Sequence, residues 1–269
     1  MNTALLFDQK MIAEQDLYNP FALTDVLTEY SGDHNQPIIH FWQLPDTLIL
    51  GMKDSRVTYF AEALETVQQQ NYRLLLRNAG GLGVINDSGI LNVSLILPKN
   101  TTAELSIDDG YQAMVDWLKK TSFGQFNITV GEIADSYCPG KFDLSINGKK
   151  IAGIAQRRVK EGVAIMMYLS VTGDQKTRGE IVRSFYQSGL KERFGQDYPP
   201  VHPDSMTTLA DVASFSVTIE SVKKELLQVM PYQEETDSLS IFYQLEEYQR
   251  RIENMKQRNL AIQEVLHEL

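Results

Sequence analysis

Among its 269 residues the chain has one cysteine, Cys138, which rules out an internal disulfide. Long apolar runs are also missing. Even the stretch from Val163 to Leu169 falls far short of the roughly 20 residues a membrane-spanning helix needs. Between Met1 and Lys10, Asp8 stands where a secretory signal would place its apolar stretch, so a reducing cytoplasm is the expected location. Positive charge is in deficit, and a formal net charge of −10 argues against broad affinity for nucleic acid or an anionic membrane surface. There are no internal repeats, low-complexity tracts or long Pro/Gly linkers. What remains is a composition 43% hydrophobic and 22% charged, suited to a soluble globular protein with a sizeable core. We expect one main domain over residues 1–237 and a C-terminal helical extension over 238–269.

The charge is uneven. Between Lys141 and Lys160 the cations Lys141, Lys149, Lys150, Arg157, Arg158 and Lys160 face Asp143 alone, a basic island on an acidic body. Such an island suits an acidic protein partner, or else it is a solvated strand edge that uses lysine to prevent edge pairing.

Periodicity predicts the elements that frame this island. Phe60, Ala63, Leu64 and Val67 recur at helical spacing within 58–70, and Tyr72 to Leu76 then reads as a buried strand running into glycines. Ile90 to Leu97 is a second strand, stopped at Pro98. Ser106 with Asp109 three positions on begins a helix whose Tyr111, Met114, Val115 and Leu118 form a core stripe. Strand 163–171, a helix over 180–194 and a helix capped by Thr218 follow. From Ser238 onward Ile241, Leu245, Tyr248, Ile252 and Met255 mark an amphipathic helix that packs on the main domain or pairs with a second copy.

The clearest local feature is a hairpin. Phe142, Leu144 and Ile146 alternate with Asp143 and Ser145, and Asn147-Gly148 supplies the positive-φ pair of a type I′ turn before the strand 151–156. In this register Ile146 opposes Lys149, Ser145 opposes Lys150 and Leu144 opposes Ile151, placing Lys150 on the face of Asp143, Ser145 and Ala152. Just ahead lies Ser136-Tyr137-Cys138-Pro139-Gly140. A lone thiol on a Pro/Gly loop near cations can be a small buried hydrophobe or an activated nucleophile. The stretch Arg77-Asn78-Ala79-Gly80-Gly81-Leu82-Gly83 can be a tight turn or a loop whose backbone approaches a ligand beside a fixed cation. It has no P-loop pattern, and no helix follows at once as a dinucleotide fingerprint requires.

Taken together these pieces resemble a known superfamily. Arg77 with Gly80-Gly81, then Asp87-x-Gly89-x-Leu91-Asn92-x-Ser94 and Gly148-x-Lys150-Ile151-x-Gly153-x-Ala155, are similar to the lipoyl/octanoyl transferases and lipoate ligases, whose fold is related to that of biotin protein ligases. The resemblance spans roughly residues 40 to 230. Ser136 to Ile146 and Gly153-Ile154-Ala155-Gln156-Arg157-Arg158 most resemble the octanoyl-[glycine cleavage H protein]:protein N-octanoyltransferases, the LipL type. The resemblance implies an α/β (α+β) fold of mixed sheets flanked by helices, with an acyl chain accepted by Cys138 and its carbonyl contacted by Lys150. It further implies that Arg77, Gly80 and Gly81 line the acyl pocket, with Asn92 and Gly153 in the substrate-binding set. Two positions depart from the ligase pattern: Leu82 replaces a glycine and Asn86 a histidine. A bulky Leu82 is expected to narrow the space for a nucleotide and to offer an acyl chain an apolar contact.

The chemistry follows from bond types. Moving an acyl group between two lysine amides conserves the bonds, so no nucleotide or other cofactor is required, but direct attack of amine on amide is slow. A cysteine relay divides the barrier. The expected donor is the H protein, and the expected acceptors are lipoyl domains of 2-oxoacid dehydrogenase complexes. Octanoyl-acyl carrier protein as donor, ATP-dependent lipoate ligation, and a non-catalytic carrier-binding module are the other readings. His34, His40 and His202 are remote from Cys138 in sequence, and none is assigned a proton-transfer role.

Overall fold

The computed structural model describes residues 3–99 and 106–267. The chain opens with β1 (Ala4–Met11), α1 (Asn19–His34), β2 (Ile38–Gln43), β3 (Thr47–Leu50), α2 (Phe60–Gln68) and β4 (Arg73–Leu76). It continues with β5 (Val84–Asn86), β6 (Ile90–Pro98), α3 (Ile107–Lys119), β7 (Thr129–Val130), β8 (Leu144–Ile146), β9 (Lys149–Val159) and β10 (Gly162–Ser170). Then come α4 (Gln175–Leu190), α5 (Leu209–Val212), α6 (Ile219–Gln228), β11 (Tyr232–Glu234), α7 (Leu239–Tyr243) and α8 (Glu246–His267). Among the described residues no helix is long and apolar enough to cross a membrane.

Two sheets result. The larger is mixed, in the order β11-β1-β2-β6-β10-β9-β8-β7, and the smaller has the order β4-β3-β5. Strand β6 is nearly continuous in apolar residues because both of its faces are buried, and it pairs antiparallel with β10 from Ile90↔Ser170 to Pro98↔Gly162. Helix α3 begins with the expected capping box: the Ser106 hydroxyl accepts from the Asp109 N–H at 3.1 Å while the Asp109 carboxylate accepts from the Ser106 N–H at 3.2 Å. Met114, Val115 and Leu118 of that helix enter the core, and Tyr111 is half-buried.

Three expectations shift. The helix expected over 180–194 starts earlier, because Asp174 caps Gln175–Leu190, accepting from the Thr177 N–H at 3.0 Å. It ends earlier too, at the left-handed Lys191. The hairpin turn is as expected, with Asn147 and Gly148 at φ 52° and 76°. Ser145 opposes Lys150, but a bulge then makes Leu144 oppose Ala152 rather than Ile151. Strand β8 also begins only at Leu144, which leaves Phe142 and Asp143 in a preceding turn where the Asp143 N–H donates to the Gly140 carbonyl at 2.9 Å. The C-terminal helix is interrupted between Tyr243 and Glu246, so Ile241 and Leu245 are exposed while Leu239 and Phe242 turn inward. Beyond the break Tyr248 and Met255 are buried as the periodicity predicts, and α8 packs against α1, α2 and β4.

The turn after β3 supports the glycine loop that follows β4. A Cβ on Gly51 would lie 1.9 Å from the Gly81 carbonyl oxygen, so the two backbones are in direct contact. Asp54 fixes this turn, accepting from the Gly51 N–H and from the Tyr186 hydroxyl, each at 2.8 Å. Burial pushes the Asp54 carboxyl up to about 6, against the pull of those hydrogen bonds and of Arg77. An acid with a raised folded pKa holds its proton longer in the folded state, so stability falls as pH rises from 3.8 to about 6. Asp54→Asn removes this dependence. Its denaturation free energy relative to the parent should grow by up to ~3 kcal/mol across that interval, and a difference that does not vary with pH would contradict the assignment.

Candidate active site

Between the two sheets lies a cavity of about 380 Å³, a volume in the range of small-ligand sites. Its wall contains Cys138, Lys150, Arg77, Gly80, Gly81, Asn92 and Gly153, which reach it from two loops and two strands. Apolar surface comes from Phe21, Trp42, Ile49, Val84 and Met167, so the same space offers both polar groups and a lining for an alkyl chain.

Cys138 is half-buried and occupies left-handed backbone with φ 48°. A side chain with a Cβ adopts this region at a cost of about 1–2 kcal/mol, so the surrounding loop must enforce it. Its sulfur accepts from the Leu82 N–H at 3.1 Å and lies 3.7 Å from Nη2 of Arg77. The same guanidinium nitrogen donates to the Leu82 carbonyl at 2.9 Å, which couples the cation to the loop that presents the N–H. Gly81 makes this possible. Its φ is 94°, and a Cβ there would stand 2.4 Å from Arg77 Nη2 and 3.0 Å from the sulfur. An amide N–H and a guanidinium are thus directed at one sulfur.

Lys150 is almost fully buried. Its ammonium donates to Asp143 Oδ1 at 2.9 Å, the Cys138 carbonyl at 2.8 Å, the Tyr137 carbonyl at 3.0 Å and Ser136 Oγ at 3.2 Å. Asp143 in turn accepts from the N–H groups of Gly140 at 3.1 Å and Ile133 at 3.2 Å. Burial raises the Asp143 pKa, and Lys150 with those two N–H groups opposes the rise. The expected face-sharing of Lys150 and Asp143 is therefore an ion pair, and the segment 136–138 is wrapped around the ammonium. Gly153 keeps backbone alone beside it: a Cβ there would reach ordinary contact with the Lys150 side chain at 3.5 Å.

Other residues take roles the sequence did not show. The Asn92 amide reaches the cavity wall but donates to Asn86 Oδ1 at 2.6 Å, so its orientation is set by the residue that replaces the ligase histidine. Leu82 differs from expectation. Its side chain packs into the core around the small sheet, and its contribution to the site is its N–H. Tyr111, expected in the core stripe, stands at the cavity and stacks on Phe142 with ring centroids 4.6 Å apart. Asp87 pairs with the buried Arg178 at 2.6 Å, so the acidic residue of the Asp87-x-Gly89 motif braces the fold. Tyr137 and Tyr168 share a 2.6 Å hydrogen bond in the cavity wall, and burial raises both phenol pKa values.

The basic island is largely neutralised within the chain. Lys150 is paired with Asp143, Arg157 with Asp25, Lys160 with Glu29 and Lys141 with Asp108. The Arg157–Asp25 pair, invisible in the sequence because the partners are 132 residues apart, lines the cavity beside Asn78. None of the three histidines named above reaches this wall. His40 is buried between Thr24 and Gln9 with its pKa lowered by burial to about 3, His34 stacks on Tyr30, and His202 sits beside Arg183.

The family described as the lipoyl protein ligase A/B catalytic domain matches residues 16–230. The octanoyl-[GcvH]:protein N-octanoyltransferase of Oceanobacillus iheyensis is 37% identical over 245 residues, covering 89% of this chain and 87% of that protein. The lipoyl-[GcvH]:protein N-lipoyltransferase of Listeria monocytogenes is 40% identical over 208 residues, covering 76% and 74%. A crystal structure of lipoate-protein ligase A bound with ATP superposes with a TM-score of 0.67 at 18% identity and covers 94% of each chain, a likeness of fold. The chain accordingly belongs to the lipoyl protein ligase A/B catalytic domain family, alongside its octanoyl- and lipoyl-[GcvH]:protein transferases, and is an acyltransferase.

Proposed function

We propose that the protein moves an octanoyl group from the lipoyl-domain lysine of glycine cleavage H protein to the lysine of lipoyl domains in 2-oxoacid dehydrogenase complexes, through a thioester on Cys138. The observation that carries this reading is the sulfur itself, held in left-handed backbone on a cavity wall with the Leu82 N–H and the Arg77 guanidinium directed at it. The donor is the one for which the similar transferases are named, and the apolar lining suits an octanoyl or a lipoyl chain alike.

In the first step the Cys138 thiolate attacks the donor amide carbonyl, the C–N bond breaks, and the H-protein lysine leaves as an amine after taking up a proton. In the second, the acceptor lysine amine attacks the thioester, loses its proton and releases the thiolate. Each step passes through a tetrahedral oxyanion that needs a donor. Lys150 has four acceptors for three protons, so an incoming acyl oxygen competes first with Ser136 Oγ, the most distant of them. The preformed position of the ammonium means little reorganisation as charge develops. Amide is exchanged for amide overall, and the balance requires no nucleotide.

Intact-mass measurement of the protein mixed with octanoylated H protein should show an octanoyl adduct that hydroxylamine removes and that Cys138→Ala lacks. Occupancy below one per chain is expected, since a thioester lies uphill of an amide. The absence of any adduct under turnover, or a dependence of transfer on ATP, would overturn the reading in favour of direct transfer or ligation. For Lys150, the fold and the chemistry separate by variant. Lys150→Met leaves a buried carboxylate unpaired and should lower stability by about 3–5 kcal/mol. Lys150→Arg keeps the charge and should recover much of that stability, while octanoyl transfer falls by about a hundredfold in both. Transfer at the parent rate in the folded Lys150→Arg protein would show that the ammonium geometry is irrelevant to the reaction.

A further inference from the structure

We infer that α8 is a clamp on the active-site loop: Asn259 directly, and Arg251 through Asp25, hold the backbone on both sides of Arg77 and so keep its guanidinium on the Cys138 sulfur. The inference rests on the reading of Cys138 as the nucleophile.

Strand β4 is an edge of the small sheet, and its last residue, Leu76, turns its N–H and carbonyl away from β3. The neighbouring Arg77 N–H points the other way and donates to the Leu50 carbonyl at 2.9 Å. Asn259 completes the outer edge. Its Oδ1 accepts from the Leu76 N–H at 2.7 Å, and its Nδ2 donates to the Leu76 carbonyl at 3.0 Å and to the Met255 carbonyl at 2.8 Å. One side-chain amide thus replaces a missing strand at the residue before Arg77. Asn259 is only 1% exposed, so it is shielded from bulk solvent.

On the other side of Arg77, the Asn78 Nδ2 donates to Asp25 Oδ2 at 3.2 Å, and the Asn78 carbonyl accepts from Arg157 Nη1 at 3.0 Å. Asp25 is the shared anchor, 1% exposed, and it accepts from Arg157 and from Arg251 Nη1 at 3.2 Å. Arg251 is itself held by Glu247 at 2.7 Å within α8. The helix therefore contributes one bond pair at Leu76 and one cation to the network at Asn78, with Arg77 between them. Helix α8 lies past residue 230, where the matched family domain ends, so this support is built from outside the shared unit. A helix that only covered apolar surface would need Met255 and Ile262, not a buried amide aimed at strand backbone.

The test reads sulfur reactivity, not acyl transfer. Cys138 is the only thiol, so its alkylation by iodoacetamide at fixed pH, well below the melting temperature, reports on this one site. Asn259→Ala should slow alkylation about tenfold and Arg251→Gln about threefold, because a small displacement of a positioned cation is costly. Arg251→Lys, which keeps a cation at Asp25, should recover most of the parent rate, and the exposed Gln257→Ala on the same helix should leave it unchanged. Parent-like alkylation in folded Asn259→Ala and Arg251→Gln would overturn the clamp. If Asn259→Ala does not fold, a parent-like rate in Arg251→Gln is sufficient to do so. A parent protein that alkylates readily yet never carries octanoyl would instead sink the thioester reading on which the inference rests, whatever the variants' alkylation rates.

Discussion

A buried ammonium is tolerable only when its protons are satisfied, and Lys150 satisfies them on the loop that carries Cys138. This one constraint joins the charge, the loop and the sulfur. The loop offers its carbonyls at Tyr137 and Cys138 inward, and Asp143 offers its carboxylate while gripping the N–H groups of Ile133 and Gly140. Charge-assisted hydrogen bonds of this kind are strong enough to offset the left-handed backbone at Cys138. The sulfur then faces the Leu82 N–H and Arg77, which lie on the loop joining β4 and β5 of the other sheet. Lys150, Asp143 and the Cys138 loop share one hydrogen-bond network, so substitutions at the three are expected to be non-additive.

The rest of the molecule keeps the two halves of that unit in register. The large sheet carries Lys150 on β9, and the small sheet delivers the glycine loop through β4. Contact between Gly51 and Gly81, the Asp54 turn below it, and the amide of Asn259 at the strand edge all bear on the same few residues of the loop. The Asp87–Arg178 pair does comparable work between the β5–β6 turn and α4. Motif residues that look catalytic in a sequence therefore divide here into those that touch the cavity and those that hold its walls.

Local signals were legible wherever a short-range rule decides the structure. Asn147-Gly148 requires a type I′ turn whatever surrounds it, and Ser106 with Asp109 forms a cap from four residues alone. Alternation put Lys150 on the face of Asp143, but neither their ion pair nor the bulge at Ile151 could be read from it. The bulge, the break before α8 and the early start of α4 depend on tertiary packing or on a cap outside the apolar pattern. Leu82 shows a different limit. Its side chain invited an argument about space, while the group that serves the site is a backbone N–H that every residue except proline possesses. The basic island was misleading for a related reason: Asp25, Glu29 and Asp108, which neutralise much of it, are far away in the chain.

The most direct test of a covalent relay at Cys138 is steady-state kinetics with both carrier proteins varied. If the acyl group leaves its donor before the acceptor binds, double-reciprocal plots of rate against acceptor concentration at several donor concentrations should be parallel. Intersecting lines would mean that both carriers must be bound together for transfer, and the sulfur at position 138 would lose its role as the resting place of the acyl group.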